Sequence, residues 1–250
     1  DFCLSRGLGD VYKRQVYDRT PKDKIIERAR GAEVVLTNKV PMFGEQIGAL
    51  PELRYIGVLA TGYNNVDLQC AKSRGIAVTN IAEYGTDSVA QAVFAHILNI
   101  ANKTEEHSQS ARAGDWSKCA DICYCLAPLT EIAGKTIGIV GYGAIGRKVA
   151  QIAKAFGMEV AAYSPSRPAG TSDTAARFTT LDDLLRSSDI ISLNCVLNDS
   201  TREMVNAESI AKMKDGAWIV NTGRGGLVNE KDLAAALESG KIGAAGVDVL

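Results

Sequence analysis

Three observations predict an α/β protein with parallel sheets. Apolar runs of strand length alternate with helical segments from residue 16 to the end of the chain. A glycine-rich turn joins one of these strands directly to a helix. The 250 residues, of which 46% are hydrophobic, can bury one large core or two moderate ones. Strands that alternate with helices pair in parallel, which sets the expected sheet type.

Composition and charge exclude several functional classes. The net charge is −1, and no run of Lys and Arg is dense enough to suggest a nucleic-acid or membrane face. No apolar stretch approaches the length of a membrane span, and no signal peptide is recognisable. The six cysteines are scattered and do not resemble a disulfide framework, so a reducing cytoplasm is the expected location.

Residues 5–15 resemble the in-frame translation of a transposon adapter used to build sequencing libraries. They contain glycine and charge but no apolar period, which argues against the alternative of a natural N-terminal loop. Residues 1–15 are therefore left out of the fold prediction. We expect the natural protein to begin before Val16.

Three predicted helices alternate with three predicted strands in the first part of the chain. The helices cover 21–30, 44–50 and 66–74, and the buried strands cover 33–37, 53–60 and 76–80. Pro21 suits the first turn of a helix. The second strand ends in a loop of turn-forming residues from Thr61 to Asn65.

A long helix is predicted from Ser88, capped by Thr86 or Asp87 and running past Ala101. His96 lies among its apolar residues, which favours a packed, structural histidine over a catalytic one. His107 follows in a polar stretch and receives the same interpretation.

The segment 114–134 is irregular and contains Trp116, Pro128 and three cysteines. This pattern suits a long surface loop or an arm that packs on another subunit. Cys119, Cys123 and Cys125 match no common zinc spacing and no further ligand pair follows them, so we expect no metal site.

The glycine turn Gly141-Tyr142-Gly143-Ala144-Ile145-Gly146 lies between a predicted strand at 136–140 and a helix that reaches about Phe156. Gly141 permits a tight turn, Gly143 permits backbone to approach a pyrophosphate, and Gly146 permits close packing of helix on strand. Unpaired N–H groups at the helix start can then bind the phosphates. A second strand at 159–163 completes the βαβ context that a dinucleotide site requires.

The end of that second strand bears on the choice between NAD and NADP. Ser164 stands where an acidic residue would bind the ribose 2′-hydroxyl, and Ser166 and Arg167 follow it. Small hydroxyls with an arginine can accept a 2′-phosphate, so NADP is slightly favoured as the cofactor. The alternative is a solvated loop arginine with no part in cofactor selection.

The remaining chain repeats the α/β pattern. Helices are predicted at 181–187, 207–213 and 231–239, and strands at 189–195 and 217–222, with a last strand starting at 246 and still running at Leu250. Arg224 lies among glycines just after the strand at 217–222, where ligands of open α/β sheets bind, and its planar fork suits a carboxylate. A surface arginine in a turn is the alternative.

Five ordered segments together resemble the D-isomer-specific 2-hydroxyacid dehydrogenases, particularly the glycerate dehydrogenase or hydroxypyruvate reductase branch. The resemblance extends from about Val16 to Leu250. The matching segments are 58–67, 84–91, the glycine turn, 221–225 and 246–249. It implies a Rossmann-type doubly wound parallel sheet and a smaller flavodoxin-like α/β substrate domain, with the active site in a cleft, and it suggests a homodimer. We expect the substrate domain in residues 16–100 and the NAD(P)-binding domain in 101–250.

The resemblance also implies the roles of individual residues. Arg224 would hold the substrate carboxylate and polarise the C2 carbonyl, with help from backbone amides at Ala60, Thr61 and Gly62. Asp248 matches the residue that contacts the nicotinamide amide. Further cofactor-contacting positions, besides the glycine turn with its Ala144 and Ile145, are Thr86, Cys195, Val196, Thr201, Thr222 and Gly223. The implied reaction transfers a hydride between NAD(P)H and a small 2-keto or 2-hydroxy acid.

The sequence departs from the family pattern at three points. Val196 stands where the family often has proline, and Gly223 where it often has alanine or serine. The family's catalytic histidine and its glutamate partner are expected beyond Leu250, and the first strand before Val16. We therefore expect little activity from the chain as written. A dinucleotide-sensing protein of corepressor type is the alternative function, since fold alone does not separate the two.

Overall fold

The computed structural model describes residues 13–250, and the chain divides into two compact units, with the boundary between Gly85 and Thr86. The proposed adapter segment lies outside the described residues up to position 12, and residues 13–15 form neither helix nor strand. The division falls earlier in the chain than the predicted boundary at 100. The reason is the helix after Gly85, whose buried face belongs to the core of the second unit.

The first unit contains a three-stranded parallel sheet in the order β1-β2-β3. Its elements are α1 (Ile25–Ala29, after a 3₁₀ turn at Lys22–Lys24), β1 (Val34–Thr37), α2 (Gly44–Gly48), β2 (Tyr55–Val58), α3 (Leu68–Ser73) and β3 (Ala77–Asn80). Ile56 and Val58 of the central strand are buried in one core with Ile47 of α2 and Ala71 of α3. All three predicted helices and strands of this region are present, with shorter bounds.

The second unit contains a six-stranded parallel sheet in the order β6-β5-β4-β7-β8-β9. The strands are β4 (Thr136–Val140), β5 (Glu159–Tyr163), β6 (Arg177–Phe178), β7 (Ile190–Leu193), β8 (Ala217–Asn221) and β9 (Ile242–Val247). The helices are α4 (Thr86–Asn102), α5 (Thr104–Arg112), α6 (Asp115–Lys118), α7 (Ala144–Ala155), α8 (Leu181–Ser187), α9 (Ala207–Lys212) and α10 (Glu230–Glu238). The parallel α/β prediction is confirmed in both units.

Some elements of the second unit differ from the prediction. The long helix α4 runs past Ala101, as predicted, and ends at Asn102, because Lys103 adopts a left-handed conformation with φ +49°; a separate helix, α5, then begins at Thr104. The last strand starts at Ile242 rather than 246. It also ends at Val247, so the expectation that the strand continues to Leu250 is wrong. The small residues near the start of this strand have low β propensity, so the sequence did not indicate its start. Gly243 is required there because it packs against Gly216, which leaves no room for a side chain.

No helix within residues 13–250 is both long enough and apolar enough to span a membrane.

Asp189 fastens the amino ends of three strands of the second sheet. Its carboxylate accepts hydrogen bonds from the Thr136 amide and the Lys214 ammonium, each at 2.8 Å, and its carbonyl accepts the Trp218 amide at 2.9 Å. Burial alone would raise the pKa of Asp189, but the bonds from Lys214 and Thr136 outweigh it and hold the pKa below its usual range. The charged form therefore stabilises the fold.

We expect Asp189→Asn to lower the free energy of unfolding at neutral pH by about 1–2 kcal/mol. A carboxyl with a depressed pKa stabilises above its unfolded-state pKa and loses this contribution as the pH falls through the folded-state pKa. The gap between variant and wild type should therefore shrink below about pH 4 in urea titrations. Asp215→Asn is the matched control, because the Asp215 carboxylate, which pairs with Lys241 at 2.7 Å, is 90% exposed. A gap that does not change with pH would contradict this role.

Candidate functional site

Five strands of the six-stranded sheet end at the same level. The end residues are register partners across the sheet, namely Tyr163, Val140, Leu193, Asn221 and Val247 in the order β5-β4-β7-β8-β9. Backbone bonds continue this row one residue further: Gly141 donates to Tyr163 at 2.9 Å, and Asp248 donates to Asn221 at 3.0 Å. The next residues of the five strands, which lie far apart in sequence, therefore share one edge: Ser164, Gly141, Asn194, Thr222 and Asp248.

The glycine turn lies where the direction of strand addition reverses. From β4 the chain adds β5 and β6 on one side, and then returns to add β7, β8 and β9 on the other. The crevice at the carboxyl ends of two strands that diverge in this way is the usual ligand site of an open α/β sheet. Gly141 immediately follows β4 and borders this crevice.

Gly141 and Gly146 are required by the packing of the turn itself. Gly141 has φ +95°, and a Cβ there would lie 2.6 Å from the Cys195 amide nitrogen. A Cβ on Gly146 would collide with the carbonyl oxygen of Gly141 and approach Ile139 Cγ2 to 3.2 Å. The two glycines therefore allow α7 to begin directly against β4 and the turn to lie against the end of β7.

Gly143 has a different environment. It is the N-cap residue of α7 in an extended conformation, no side chain caps the helix, and a Cβ at this position would meet no protein atom within 4 Å. Ala144 and Ile145 then form the first helical turn. An uncapped N-terminus of a twelve-residue helix, beside open space, suits an anion such as a pyrophosphate.

Two buried polar atoms at this edge have no hydrogen-bond partner in the described structure, Thr222 Oγ1 and Asn194 Oδ1. The side-chain nitrogen of Asn194 donates to the carbonyl and hydroxyl oxygens of Ser192. The side-chain oxygen of Asn194 takes no part in these bonds. A buried polar atom without a partner is costly, and a bound ligand is one way to satisfy it. These two atoms, the open space at Gly143 and the uncapped helix fit a dinucleotide.

Asn194 was not among the residues selected from the sequence. The available signal was its position, because a polar residue directly follows the four buried residues of β7. Its amide oxygen could not be recognised as unsatisfied without the structure.

The loop after β7 positions three predicted cofactor contacts. Thr201 Oγ1 donates to the carbonyl oxygen of Val196 at 2.7 Å and accepts the Asn198 amide at 2.9 Å, which closes the loop. The Val196 side chain is exposed on this loop. Cys195 Sγ lies 3.7 Å from Met204 Sδ, and burial raises the pKa of the Cys195 thiol. The thiol is therefore neutral and suited to packing rather than to nucleophilic chemistry.

The loop after β8 presents Arg224 from a fixed turn. Asn221 is buried, and its side chain donates to the Arg224 carbonyl at 2.9 Å and accepts the Gly223 amide at 3.1 Å. Arg224 Nη1 donates to the Gly223 carbonyl at 2.7 Å, and the side chain is exposed. A Cβ on Gly223 would approach Leu227 Cδ1 to 3.3 Å, so glycine suits this tight turn better than a larger residue.

The loop after β5 carries the residues predicted to select between NAD and NADP. Ser164 Oγ and Ser166 Oγ lie 3.0 Å apart, and the Arg167 amide donates to the Ser164 carbonyl at 3.0 Å. Arg167 is exposed, with its guanidinium carbon 5.4 Å from the centre of the Phe178 ring. Hydroxyls and a guanidinium are thus grouped at the strand end.

Helix α4 packs along the sheet and starts with Thr86. Asp87 forms an ion pair with Lys148 of α7 at 2.8 Å, which links the first turn of α4 to the N-terminal half of α7. Further along α4, His96 packs against Gly246, where an added Cβ would lie 2.6 Å from His96 Cβ. This contact fits the interpretation of His96 as a packed histidine.

Two further predictions concern residues that do not belong to the six-stranded sheet: the substrate-binding amides at 60–62 and the absence of a metal site. In the first unit, the loop after β2 is tied to the chain after β3: the Ala60 carbonyl accepts the Ile81 amide at 3.2 Å, and the Thr61 carbonyl accepts the Asn80 side chain at 2.8 Å. Gly62 follows in the same loop. Across residues 13–250, no group of three or more His, Cys, Asp or Glu side chains is placed to hold a metal ion.

Comparisons with known proteins agree with this geometry. The model of the NAD binding domain of the D-isomer specific 2-hydroxyacid dehydrogenases matches residues 94–250. A hydroxypyruvate reductase of Blautia hydrogenotrophica is 45% identical, with 100% of this chain and 80% of the relative covered. A glycerate dehydrogenase of Methylorubrum extorquens is 41% identical, with 96% and 74% covered. A solved acyclic imino acid reductase in complex with NADPH and D-Arg has a TM-score of 0.85 and 29% identity, with 94% and 74% covered.

Proposed function

The chain belongs to the D-isomer specific 2-hydroxyacid dehydrogenase family, and from this premise we propose that its substrate pair is a small 2-keto and 2-hydroxy acid of the hydroxypyruvate/glycerate or glyoxylate type. The family comprises NAD(P)-linked oxidoreductases. The observation that carries the proposal is the shared edge at which Gly141, Thr222 and Asp248 follow paired strand ends. Arg224, whose guanidinium could bind a carboxylate, follows two residues after Thr222.

We propose that Gly141, Gly143 and the first turn of α7 with Gly146 hold the pyrophosphate of the cofactor. The orphaned oxygens of Thr222 and Asn194 support a bound cofactor: the Thr222 hydroxyl can donate to a phosphate oxygen, whereas the Asn194 amide oxygen only accepts and needs a donor such as a ribose hydroxyl or an amide N–H. Additional contacts are assigned to Thr86, Cys195, Val196, Thr201, Gly223 and Asp248. The bound reduced nicotinamide supplies the hydride that substrate C2 receives.

Arg224 is assigned to the substrate. Its guanidinium can donate two parallel hydrogen bonds to a carboxylate and place a positive charge beside the C2 oxygen, where negative charge develops during reduction. Asn221 holds the backbone of this arginine through two hydrogen bonds, so the turn is preorganised. Backbone amides of Ala60, Thr61 and Gly62 are assigned to the substrate as well.

The proposal is tested by the order in which two ligands bind. NADH and glycerate cannot react with each other, because both are reduced, so calorimetry reports binding alone. We expect glycerate to bind the NADH-loaded chain and to bind much more weakly in its absence. Glycerol, which lacks the carboxylate, should not bind in either case. A chain that binds NADH but shows no glycerate binding would contradict the proposed substrate class.

We also propose that NADPH is tolerated and slightly favoured over NADH, on the strength of Ser164, Ser166 and Arg167. Arg167→Ala is expected to raise the Kd of NADPH by about tenfold and to leave the Kd of NADH within about twofold, since one charge-assisted bond to phosphate is lost. Fluorescence titration of each cofactor measures both constants. Arg177→Ala is the control, because Arg177 neighbours Phe178 on β6 and faces the other side of the strand. A strong NADH preference of the wild type would refute the NADP assignment.

A homodimer and a cytoplasmic location complete the proposal. The dimer rests on the family resemblance, and the irregular segment after α6 is a candidate arm. The location rests on the cysteine pattern, with free thiols at Cys70, Cys119, Cys123, Cys125 and Cys195 among the described residues.

A further inference from the structure

Tyr142, the second residue of the glycine turn, is directed into the protein rather than toward the ligand edge. It is 7% exposed, and its hydroxyl donates a hydrogen bond to Asp173 Oδ1 at 3.1 Å. Burial and this bond raise the pKa of Tyr142 to about 12, so the phenol stays protonated near neutral pH. The turn between Gly141 and Gly143 is therefore fastened to the segment that contains Asp173.

Asp173 lies in the connection between β5 and β6; this connection together with β6 (residues 164–178) is here called the ribose loop. Its Oδ1 also accepts the amides of Ala175 and Ala176, each at 2.9 Å. Burial alone would raise the pKa of Asp173, but these amides and the Tyr142 hydroxyl lower it below the usual value. Asp173 Oδ1 thus accepts three hydrogen bonds, one from the Tyr142 hydroxyl and two from amides of its own loop.

A second contact runs parallel to this hydrogen bond. The Tyr142 ring meets the Phe178 ring edge to face, with centroids 4.9 Å apart and an interplanar angle of 87°. On Phe178 lies the guanidinium of Arg167, at 5.4 Å from the ring centre. Tyr142 therefore supports the aromatic ring on which Arg167 rests.

The remaining bonds of the ribose loop close it on itself. The Phe178 amide donates to the Thr171 carbonyl at 2.8 Å, and the Gly170 amide donates to the Phe178 carbonyl at 2.9 Å. Strand β6 holds one end of the ribose loop against β5 in the sheet. Between the two strands, the Tyr142–Asp173 hydrogen bond supplies a side-chain link from the loop to the glycine turn.

We propose that Tyr142 and Asp173 are positioning residues that hold the ribose loop at a fixed distance from the glycine turn, so that Arg167 meets a 2′-phosphate while the helix N-terminus meets the 5′-phosphate. The inference rests on the proposed role of Arg167 in cofactor binding. Its distinguishing consequence is that Tyr142 affects the affinity for a 2′-phosphate without touching the ligand.

The test uses two nucleotides that differ only in the 2′-phosphate, adenosine 2′,5′-bisphosphate and 5′-AMP. Tyr142→Phe removes the hydroxyl and keeps the ring that supports Phe178. By calorimetry on the 250-residue chain, we expect this variant to raise the Kd of the bisphosphate about fivefold, the loss of roughly one net hydrogen bond. The Kd of 5′-AMP should stay within about twofold. Tyr55→Phe is the matched control, since it removes a hydroxyl bond to Thr79 in the first unit.

Arg167→Ala and the double variant separate the inference from the proposed function. If Tyr142 acts through Arg167, its substitution should have no further effect on bisphosphate affinity when Arg167 is already alanine. Additive effects, or a loss with Arg167→Ala but none with Tyr142→Phe, would overturn the inference and leave the role of Arg167 intact. Equal binding of the two nucleotides by the wild type would overturn both. Equal weakening of both nucleotides by Tyr142→Phe would identify a merely structural residue and also overturn the inference.

Discussion

Replacing Gly143 by alanine is expected to weaken NADH binding at least about tenfold without lowering stability. A Cβ at this position meets no protein atom within 4 Å, so the fold accepts it, but it would project into the space assigned to the pyrophosphate. The poorer N-cap preference of alanine and the lower entropy of the unfolded chain oppose each other, so the free energy of unfolding should change by less than about 0.5 kcal/mol. Fluorescence titration and urea unfolding measure the two quantities.

Gly146→Ala is the matched comparison within the same turn. Its Cβ would collide with the carbonyl oxygen of Gly141, so this variant should lose both stability and NADH affinity. The two glycines therefore separate a ligand-imposed requirement from a packing requirement. If Gly143→Ala bound NADH with full affinity, the assignment of the pyrophosphate to the start of α7 would be wrong.

The second large effect is expected at Arg224. Arg224→Ala should raise the Kd of glycerate for the NADH-loaded chain by about tenfold to a hundredfold, because a charge-assisted contact with the carboxylate is lost. Arg224→Lys should recover only part of the loss, since an ammonium lacks the planar fork. The Kd of NADH should be nearly unchanged in both variants.

Arg186→Ala serves as the control for the change in charge, because Arg186 is an exposed residue in the last turn of α8. Calorimetry on the four proteins gives both constants under one set of conditions. An unchanged glycerate Kd in Arg224→Ala would contradict the substrate role and favour the alternative, a surface arginine in a turn.

The sequence predicted the elements whose signals are local. The glycine turn was found because spacing, a flanking apolar strand and an amphipathic helix coincide, and Gly141 and Gly146 have the packing roles expected of them. The helix α5 was missed, because the segment Thr104–Arg112 is polar and has no buried residue to create an apolar period. The two-residue strand β6 is too short for any pattern.

Other features depend on contacts between distant segments. The start of β9 could not be recognised, because Gly243 and Gly246 are small to fit Gly216 and His96. The division of the chain before α4 follows from packing that its amphipathic pattern alone does not assign to either unit. Asn194 became a candidate only when its amide oxygen proved to be buried without a partner.

The paired strand ends have a consequence for how such a site can change over time. Five residues, Ser164, Gly141, Asn194, Thr222 and Asp248, each stand one residue beyond a different strand, so the distances among them depend on sheet register and not on the length of the connections. Insertions or deletions in the helices and loops that return at the opposite edge would leave the ligand-binding residues in place. A slip of one residue in any single strand would instead displace its group by about 3.3 Å and turn it to the other face.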